Sequence, residues 1–326
     1  MTAYIIRRVL GMIPTLILIS MITFYIVQLP EGNFFTILAG SEASGTGQDT
    51  AQAKLQAEKY GLTEEPYIQY WKWVKGFPRG DFGYSFGEQG DVLPIVWDRM
   101  LYTMLLGGLS LVFMVVIAVP LGIYAARRQY GIGDHIFSFL GFLGLSMPSF
   151  LLALLWMALG ITVLDIDVGG IYSSEFQGEP WDAAKISDYI QHLVPPAIIL
   201  ALASTAQIQR IMRGNLLDEL GQPYVTTARA KGLREDRVVN KYAVRVAINP
   251  LISVMALEVP KVVSQSTIVG IVMTLPTTGP LLFSALRDQD IFLAGTILLF
   301  MSALLLISNL IADILLAWAD PRIVYS

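Results

Sequence analysis

Long uninterrupted runs of apolar residues dominate the chain, and polar segments separate them. A helix needs roughly 20 consecutive apolar residues to cross the hydrocarbon core of a bilayer. The runs lack the strict alternation of a membrane barrel strand, so helices are the expected form. The pattern predicts six transmembrane helices, at 9–29, 100–126, 136–164, 193–209, 246–274 and 291–312, the last continuing to Trp318.

Two of these runs have features that bear on their helices. The run 193–209 is shorter than the others and starts with Pro195 and Pro196, which a helix tolerates in its first turn. The first run is too long for the apolar part of a signal peptide, and no small-residue cleavage site follows it. We therefore expect it to be retained as the first span.

Lysine and arginine in the connections predict the orientation, because they favour the cytoplasmic side. Arg7 and Arg8 precede the first run, and Arg127 and Arg128 follow the second. The loop 165–188 holds one lysine and six acidic residues. Both termini and the link between spans four and five are thus expected in the cytoplasm. That link holds Arg213, Arg229, Lys231, Arg234, Arg237, Lys241 and Arg245.

Composition narrows the class to an all-α integral membrane protein. Of the 326 residues, 54% are hydrophobic and only 15% are charged. The formal charge of −4 gives no reason to expect nucleic acid as a partner, whereas contact with membrane lipid is expected throughout. The chain has no cysteine, which excludes disulfides, thiolate metal sites and cysteine nucleophiles.

The segment 31–99 is too long for a simple connection and is expected outside the cell, as an insertion between helices 1 and 2. Residues 40–48 have a flexible composition, and 51–59 suggest a short polar helix that ends at Gly61. Two interpretations remain for the aromatic stretch that follows: a folded cap that meets an external partner, or an aromatic belt at the membrane interface. Its aromatic residues are Tyr67, Tyr70, Trp71, Trp73 and Phe77.

The predicted organisation is therefore simple. Residues 1–30 form the cytoplasmic N-terminus and the first span, and 31–99 form the external cap region. Residues 100–318 form the core of spans two to six, with a cytoplasmic loop at 214–245, and 319–326 form a cytoplasmic tail.

The loop contains a short helix with clear boundaries. Pro223 suits a first helical turn, and Gly232 suits a C-terminal cap after Lys231. A helix of about two turns is too short to be stable alone, so neighbours must hold it. Its small side chains let another surface approach closely, and they belong to Thr226, Thr227, Ala228 and Ala230.

A second helix is predicted after Gly232, with Glu235 and Asp236 in its first turn. One face is apolar and the other is basic. The loop therefore either docks against a protein or binds anionic lipid headgroups. The apolar face holds Val238, Val239, Tyr242, Ala243 and Val246, and the basic face holds Arg234, Arg237, Lys241 and Arg245.

Charged residues inside the fifth span are the main candidates for a functional site in the membrane. Glu258 and Lys261 are one helical turn apart and can pair, and Gln265 lies one turn further on. Ionisable residues at this depth are costly and face the bundle interior or water. With Ser204 and Gln207 of span four opposite, they either line a substrate cavity or form an ion pair that fixes helix packing.

The sequence gives less support to two other classes of protein, enzymes and secondary transporters. An enzyme would need a catalytic group, yet the two histidines, His135 and His192, fall on opposite membrane sides, and Ser146 and Ser149 are expected to pack spans. A proton-coupled secondary transporter that uses Glu258 as its carrier is the remote alternative. The chain lacks the phosphate-binding loop Gly-x-x-x-x-Gly-Lys-Ser/Thr, so it is not expected to bind nucleotide.

The loop sequence Tyr224-Val-Thr-Thr-Ala-Arg-Ala-Lys-Gly-Leu resembles the cytoplasmic EAA-type loop of permease subunits in ATP-binding-cassette importers. Within these, the chain is similar to dipeptide/oligopeptide importer permeases, of the first of the two paired subunits. The likeness covers nearly the whole chain in the same order. The other matching pieces are Tyr4-Ile-Ile-Arg-Arg8, Gly80-Asp-Phe-Gly, Gly144-Leu-Ser-Met-Pro-Ser-Phe150 and Asp320-Pro-Arg-Ile323.

This resemblance implies a type I importer permease in a prokaryotic plasma membrane, with six transmembrane helices. It implies four partners: a second related permease, two cytoplasmic ATPase subunits that bind the ATP and magnesium, and an external solute-binding protein. No cofactor is implied in this chain. The loop would form a coupling helix in a groove of the ATPase, with Tyr224, Thr226, Thr227, Ala228, Ala230 and Gly232 as its coupling residues.

Departures from the family pattern bear on the solute. Where the family has a Gly-Leu-Gly-like turn after span five, this chain has Leu275-Pro-Thr-Thr-Gly-Pro280, and a glutamate common just before that turn is Gly270 here. Glu258 stands where an amide is more usual. The resemblance implies di- or oligopeptides as solute, with oligosaccharide, glutathione or a nickel complex as alternatives.

Overall fold

The structure is a computed structural model that describes residues 2–30, 32–41, 55, 57–176 and 178–319. Helices make up most of it, with one two-stranded hairpin, β1 (Tyr84–Ser85) and β2 (Gly90–Asp91). The helices are α1 (Thr2–Val27), α2 (Phe34–Ser41), α3 (Pro66–Gly76), α4 (Val92–Arg127), α5 (Ile132–Ser146), α6 (Ser149–Leu159), α7 (Ala183–Leu220), α8 (Pro223–Ala230), α9 (Glu235–Arg237), α10 (Val244–Ala247), α11 (Asn249–Val272), α12 (Thr278–Arg287) and α13 (Ile291–Ala319).

The multi-pass all-α class is confirmed. In the described part of the chain, five helices are long and apolar enough to cross a membrane, namely α1, α4, α7, α11 and α13, and a sixth span results if α5 and α6 are counted together. The helix α4 starts at Val92, before the predicted Met100, and α12 was not predicted.

The prediction of one continuous third span was wrong. The helices α5 and α6 bend by 103° where Met147 and Pro148 separate them. Proline disfavours helical backbone in the residue before it, and Met147 is extended, with φ −96° and ψ 125°. The apolar run continues through this break, so hydropathy alone predicts no bend.

The fourth span also differs from its prediction. The helix α7 starts at Ala183, so Pro195 and Pro196 lie in its interior and not in its first turn. Asp182 caps the start by accepting a hydrogen bond from the Lys185 backbone N–H at 2.8 Å. At 38 residues α7 is about 57 Å long, so it extends well beyond a hydrocarbon core of roughly 30 Å.

The described chain falls into two compact units, of which the first contains the described residues of 1–103 together with 276–307. Its core joins α1 to the predicted aromatic segment, which forms α3. Trp73 stacks on Phe24 with ring centroids 5.2 Å apart and donates a hydrogen bond to the Phe82 carbonyl at 3.0 Å. Tyr67 and Trp71 point outward from the same helix. One face of α3 thus packs against the rest of the first unit, and the other face is exposed. Contact between the exposed face and an external partner stays a prediction.

The hairpin is fastened within this unit by a buried carboxylate. Asp290 accepts hydrogen bonds from the Ser85 hydroxyl at 2.7 Å and the Gly87 N–H at 3.1 Å. It also accepts from the Leu293 N–H at 3.3 Å and so caps α13. Burial raises the pKa of Asp290, although the hydrogen bonds from Ser85 and the backbone oppose that rise.

The second unit contains 104–275 and, among the described residues, 308–319. Its largest apolar cluster draws on α4, α7, α11 and the loop between the last two. The loop therefore packs on the spans that flank it. Buried members of this cluster include Met114, Ile208, Met212, Leu216, Val225, Ala228, Val238 and Leu251.

Three predictions fall wholly or largely outside the described residues. These are the flexible stretch 40–48, the short polar helix 51–59 and the tail 319–326. Of them, Gly40 and Ser41 end α2, residues 57–59 are helical, and Ala319 ends α13. Gly61 has a φ of +72°, the backbone form expected of a residue that follows a helix end.

Candidate coupling helix and intramembrane polar cluster

The short helix expected in the cytoplasmic loop is present as α8. It starts at Pro223 and ends at Ala230, one residue before the predicted end. Gly232 follows with a φ of +74°, a left-handed conformation that other residues adopt only with strain. The proline start and the glycine stop thus set the bounds of this helix.

The side chains of α8 divide into an anchoring face and an outward face. Val225 and Ala228 are buried in the apolar cluster of the second unit. Ala228 is therefore packed inside the chain, unlike the other small side chains of the predicted docking surface. The remaining predicted coupling residues are exposed, and they are Tyr224, Thr226, Thr227, Ala230 and Gly232.

Polar contacts hold both ends of α8. The Tyr224 hydroxyl donates to a Glu219 carboxylate oxygen at 2.5 Å, and burial together with this carboxylate raises the pKa of Tyr224 to about 12. Arg229 donates to both carboxylate oxygens of Glu235, at 3.1 and 2.8 Å. This bidentate pair lowers the pKa of Glu235 and raises that of Arg229.

The segment after Gly232 is helical, but its phase differs from the prediction. Val238, Val239 and Ala243 are buried as expected, whereas Val246 is exposed and Val244 takes its place. The stretch Val238–Ala243 is a π-helix, whose wider turn shifts the phase of all later residues. The four basic residues of the predicted charged face, Arg234, Arg237, Lys241 and Arg245, are all exposed.

The ion pair predicted in the fifth span forms within α11. Lys261 Nζ lies 2.6 Å from Glu258 Oε1, and the Ser204 hydroxyl donates to Glu258 Oε2 at 2.6 Å. Glu258 is only 1% exposed. A buried carboxylate with both oxygens satisfied therefore joins α11 to α7.

Comparison with known proteins shows what kind of protein carries this loop and this cluster. Residues 118–325 match the family model described as binding-protein-dependent transport system inner membrane component. Residues 1–107 match the model for the N-terminal part of such membrane components. The chain belongs to this family.

Relatives of known function match this permease from end to end. It is 36% identical to the oligopeptide transport system permease protein AppB of Bacillus subtilis (strain 168) over 331 residues, which covers 100% of each chain. It is 31% identical to the glutathione transport system permease protein GsiC of Escherichia coli (strain K12) over 326 residues, and 28% identical to the dipeptide transport system permease protein DppB of Alkalihalophilus pseudofirmus over 349 residues, again over 100% of each chain. These relatives are transport components and not enzymes.

The exposed side of α11 carries polar groups at the depth of the membrane. The Lys261 side chain of the permease is 52% exposed, although it lies in the middle of the helix. A lysine that faces lipid at this depth costs on the order of 2.5–3.5 kcal/mol on insertion scales. Leu257, Ser264 and Ile268 are exposed on the same face as Lys261. Contact of this face with lipid would bear that cost, whereas contact of Lys261 with water would not.

The other predicted path residues are less closely joined to this cluster. Gln207 is half-buried on α7, and no hydrogen bond links it to Glu258 or Lys261 within the described part of the permease. Gln265 has a buried Oε1 that finds no partner among the described residues. Two further polar atoms of α7 that the sequence did not single out share this condition, Thr205 Oγ1 and Gln209 Nε2.

Sequence reasoning also missed a buried ion pair between α5 and α7. Arg213 donates to Asp134 through Nε at 2.9 Å and Nη2 at 2.8 Å, and Asp134 is 3% exposed. Asp134 also accepts from the Tyr130 N–H at 3.0 Å. The sequence signal was a single carboxylate at the start of an apolar run, which does not indicate its partner.

The residues considered as catalytic candidates, His135, His192 and Ser146, do not come together in the described structure. His135 lies on α5 and His192 on α7, where His192 Nδ1 is 3.0 Å from the Asp188 carbonyl. Ser146 donates to the Phe142 carbonyl of its own helix. In the described ranges, no group of three or more His, Asp or Glu side chains could hold a metal ion.

Proposed function

We propose that this permease imports short peptides as one half of the translocation path of an ATP-driven importer. The support for the solute is chemical. The relatives are named for oligopeptide, dipeptide and glutathione transport, and glutathione is itself a tripeptide. A short peptide is the class that all three names share. Glutathione remains the specific alternative that the relatives favour.

The proposed assembly has five subunits. A second, related permease completes the path, two cytoplasmic ATP-binding-cassette subunits bind ATP and magnesium, and an external binding protein delivers the peptide. In this proposal the permease itself carries out no covalent chemistry and holds no cofactor. It lies in a prokaryotic plasma membrane with both termini in the cytoplasm, since the basic residues cluster around α8 and at the N-terminus.

The observation that carries the coupling role is the division of α8 into two faces. The outward face offers small groups, those of Thr226, Thr227 and Ala230, to a partner. The inward face fixes the helix through Val225 and Ala228. An ATPase that pushed on the outward face would therefore displace a helix that is packed into the apolar cluster of the second unit.

The proposed peptide path includes the Glu258–Lys261 pair. Lys261 is half-exposed on a face for which contact with lipid is unfavourable, and its ammonium group pairs with the buried Glu258. The ammonium group of Lys261 has three N–H donors and gives one to Glu258, so the others are available to donate to the carboxylate that every free peptide carries. Ser204, Gln207 and Gln265 are the proposed polar neighbours on α7 and α11.

The coupling proposal is tested by placing a large side chain on the outward face. Ala230→Trp should abolish or strongly reduce copurification of the ATPase subunits, because tryptophan blocks close approach to α8. The matched control is Asn240→Trp, another exposed residue of the same loop. Both variants should insert into the membrane normally. Normal ATPase binding by Ala230→Trp, or equal loss in the control, would overturn the proposal.

The solute is tested with the assembled importer in proteoliposomes. Labelled di- and tripeptides should accumulate only with ATP and the binding protein present, and glutathione should compete if it shares the path. Uptake driven by a pH gradient in the absence of the ATPase subunits would instead support a secondary transporter.

A further inference from the structure

A cavity of about 250 Å³ lies between α5 and α7, near the end of α7 that leads into the coupling loop. Its lining includes the Asp134–Arg213 pair, His135, Gln209 and Arg210, together with the apolar residues Phe142 and Leu145. Nothing in the transport proposal uses this cavity. All of its lining residues belong to the second unit.

The electrostatics of the cavity favour an anion. Asp134 neutralises Arg213 through two hydrogen bonds, and these occupy the Nε and Nη2 atoms of the guanidinium. Arg210 is exposed, and within the described ranges it forms no hydrogen bond or ion pair. The cavity therefore keeps about one uncompensated positive charge, that of the Arg210 guanidinium. Guanidinium groups bind phosphate well.

A second observation points to a ligand. Gln209 is only 4% exposed, and its Nε2 has no hydrogen-bond partner among the described residues, although the side chain lines the cavity. A buried amide donor without an acceptor is costly. An oxygen-rich anion in the cavity would accept from Arg210 and, once the Gln209 side chain rotates to turn its Nε2 toward the cavity, from this amide as well.

The position and size of the cavity suggest the source of that anion. Arg213 lies seven residues from the end of α7, a depth that suits the headgroup level of a bilayer. Phe142 and Leu145 are exposed beside the opening, on the apolar side of α5. The volume is below the roughly 300–1,000 Å³ of pockets that enclose whole drug-sized ligands, so a headgroup fits while acyl chains stay outside.

We propose that this cavity binds the phosphate group of an anionic phospholipid of the leaflet next to the coupling loop. The Arg210 guanidinium and the Gln209 amide donate to the phosphate oxygens, and Phe142 and Leu145 contact an acyl chain. Basic pockets between membrane helices are a recurring form of such sites. The bound lipid would brace α5 against α7 beside the helix that couples to the ATPase.

The test uses the purified, delipidated full-length chain and native mass spectrometry. Short-chain phosphatidylglycerol should bind about tenfold more tightly than phosphatidylcholine with the same acyl chains. Arg210→Gln should lower phosphatidylglycerol affinity about five- to tenfold, since one arginine contact is lost. Arg237→Gln, which removes an exposed arginine of the loop, is the matched control and should have little effect.

A second variant separates this site from general attraction to the chain. Gln209→Leu removes the unpartnered amide, so it should weaken phosphatidylglycerol binding while leaving the lipid-free chain equally or more stable. Equal binding of the two lipids would overturn the proposal, as would equal losses in Arg210→Gln and Arg237→Gln. Full displacement by inorganic phosphate at millimolar concentration would identify soluble phosphate as the ligand and refute the lipid.

Discussion

Variants of the Glu258–Lys261 pair test directly whether the buried carboxylate of the permease depends on its partner for stability. Lys261→Met keeps the length of the side chain but removes the ammonium group. Among the described residues, it leaves Glu258, which is 1% exposed, with the Ser204 hydroxyl as its one remaining hydrogen-bond partner. We therefore expect Lys261→Met to destabilise the second unit.

The magnitude follows from the burial of each partner. Removing one member of a fully buried pair costs about 3–5 kcal/mol, because an uncompensated charge remains. Lys261 is half-exposed, which weakens its attraction for Glu258, so we expect about 2 kcal/mol. Glu258→Gln should cost only about 1 kcal/mol, since the amide still bonds Ser204 and the lysine reaches water.

The double variant is the decisive measurement. Glu258→Gln combined with Lys261→Met leaves no unpaired charge, so it should be more stable than Lys261→Met alone, by about 1 kcal/mol. Thermal unfolding of the purified chain in detergent measures these differences. The reasoning fails if Lys261→Met is as stable as the wild-type chain, or if the two single effects simply add.

The same variants distinguish a role in packing from a role in the path. If the pair only fixes α11 against α7, the double variant should assemble and transport at the normal rate per assembled importer. If Lys261 lines the path, the double variant should assemble but transport peptide poorly. The proposed function predicts the second result.

Three further predictions concern single residues, and the last of them includes a matched control. Burial raises the pKa of Asp290 above its usual value of 3.8. Protonated Asp290 therefore adds to the stability of the folded state, fully below pH 3.8, and this contribution is lost as the pH rises through the folded-state pKa. Asp290→Asn should remove this part of the pH dependence of the melting temperature. A spectroscopic titration of the tyrosines should contain one group with a pKa of about 12 that disappears in Tyr224→Phe. Gly122→Ala should destabilise the chain by about 1–3 kcal/mol, because the new Cβ would lie 2.6 Å from the Met212 Cβ. Gly108→Ala, where nothing lies within 4 Å, should be neutral or up to about 1 kcal/mol stabilising in the same unfolding assay.

Local signals explain what the sequence could predict. Hydropathy depends only on neighbouring residues, so the apolar runs located every span but the fourth to within several residues of at least one end. The fourth helix, α7 (Ala183–Leu220), extends well beyond the predicted run 193–209 at both ends. The bounds of α8 were predictable for the same reason, since Pro223 and Gly232 act on their own backbone. The inward position of Ala228 was also within reach, because it lies three residues from Val225 on one helical face.

Tertiary contacts explain what the sequence could not predict. The first turns of α7 are polar, and they are held because Lys185 is buried against Tyr172 and Trp181, with its ammonium 4.7 and 5.2 Å from the ring centroids. Asp134 and Arg213 are 79 residues apart, and no local pattern pairs them. The π-helix before α10 likewise changed which valine is buried, through a turn that no residue type specifies.

The packing of α8 provides a continuous route from the proposed ATPase contact to the proposed path. Val225 and Ala228 share one buried cluster with Ile208 of α7 and Leu251 of α11. Ser204 lies one helical turn from Ile208, and Glu258 lies two turns from Leu251. Because cores are close-packed, a displacement of α8 cannot be absorbed by empty space and must shift these two helices. The Ser204–Glu258 hydrogen bond joins α7 to α11 at the point where such a shift would meet the proposed path, so we infer that this bond changes length when an ATPase displaces α8.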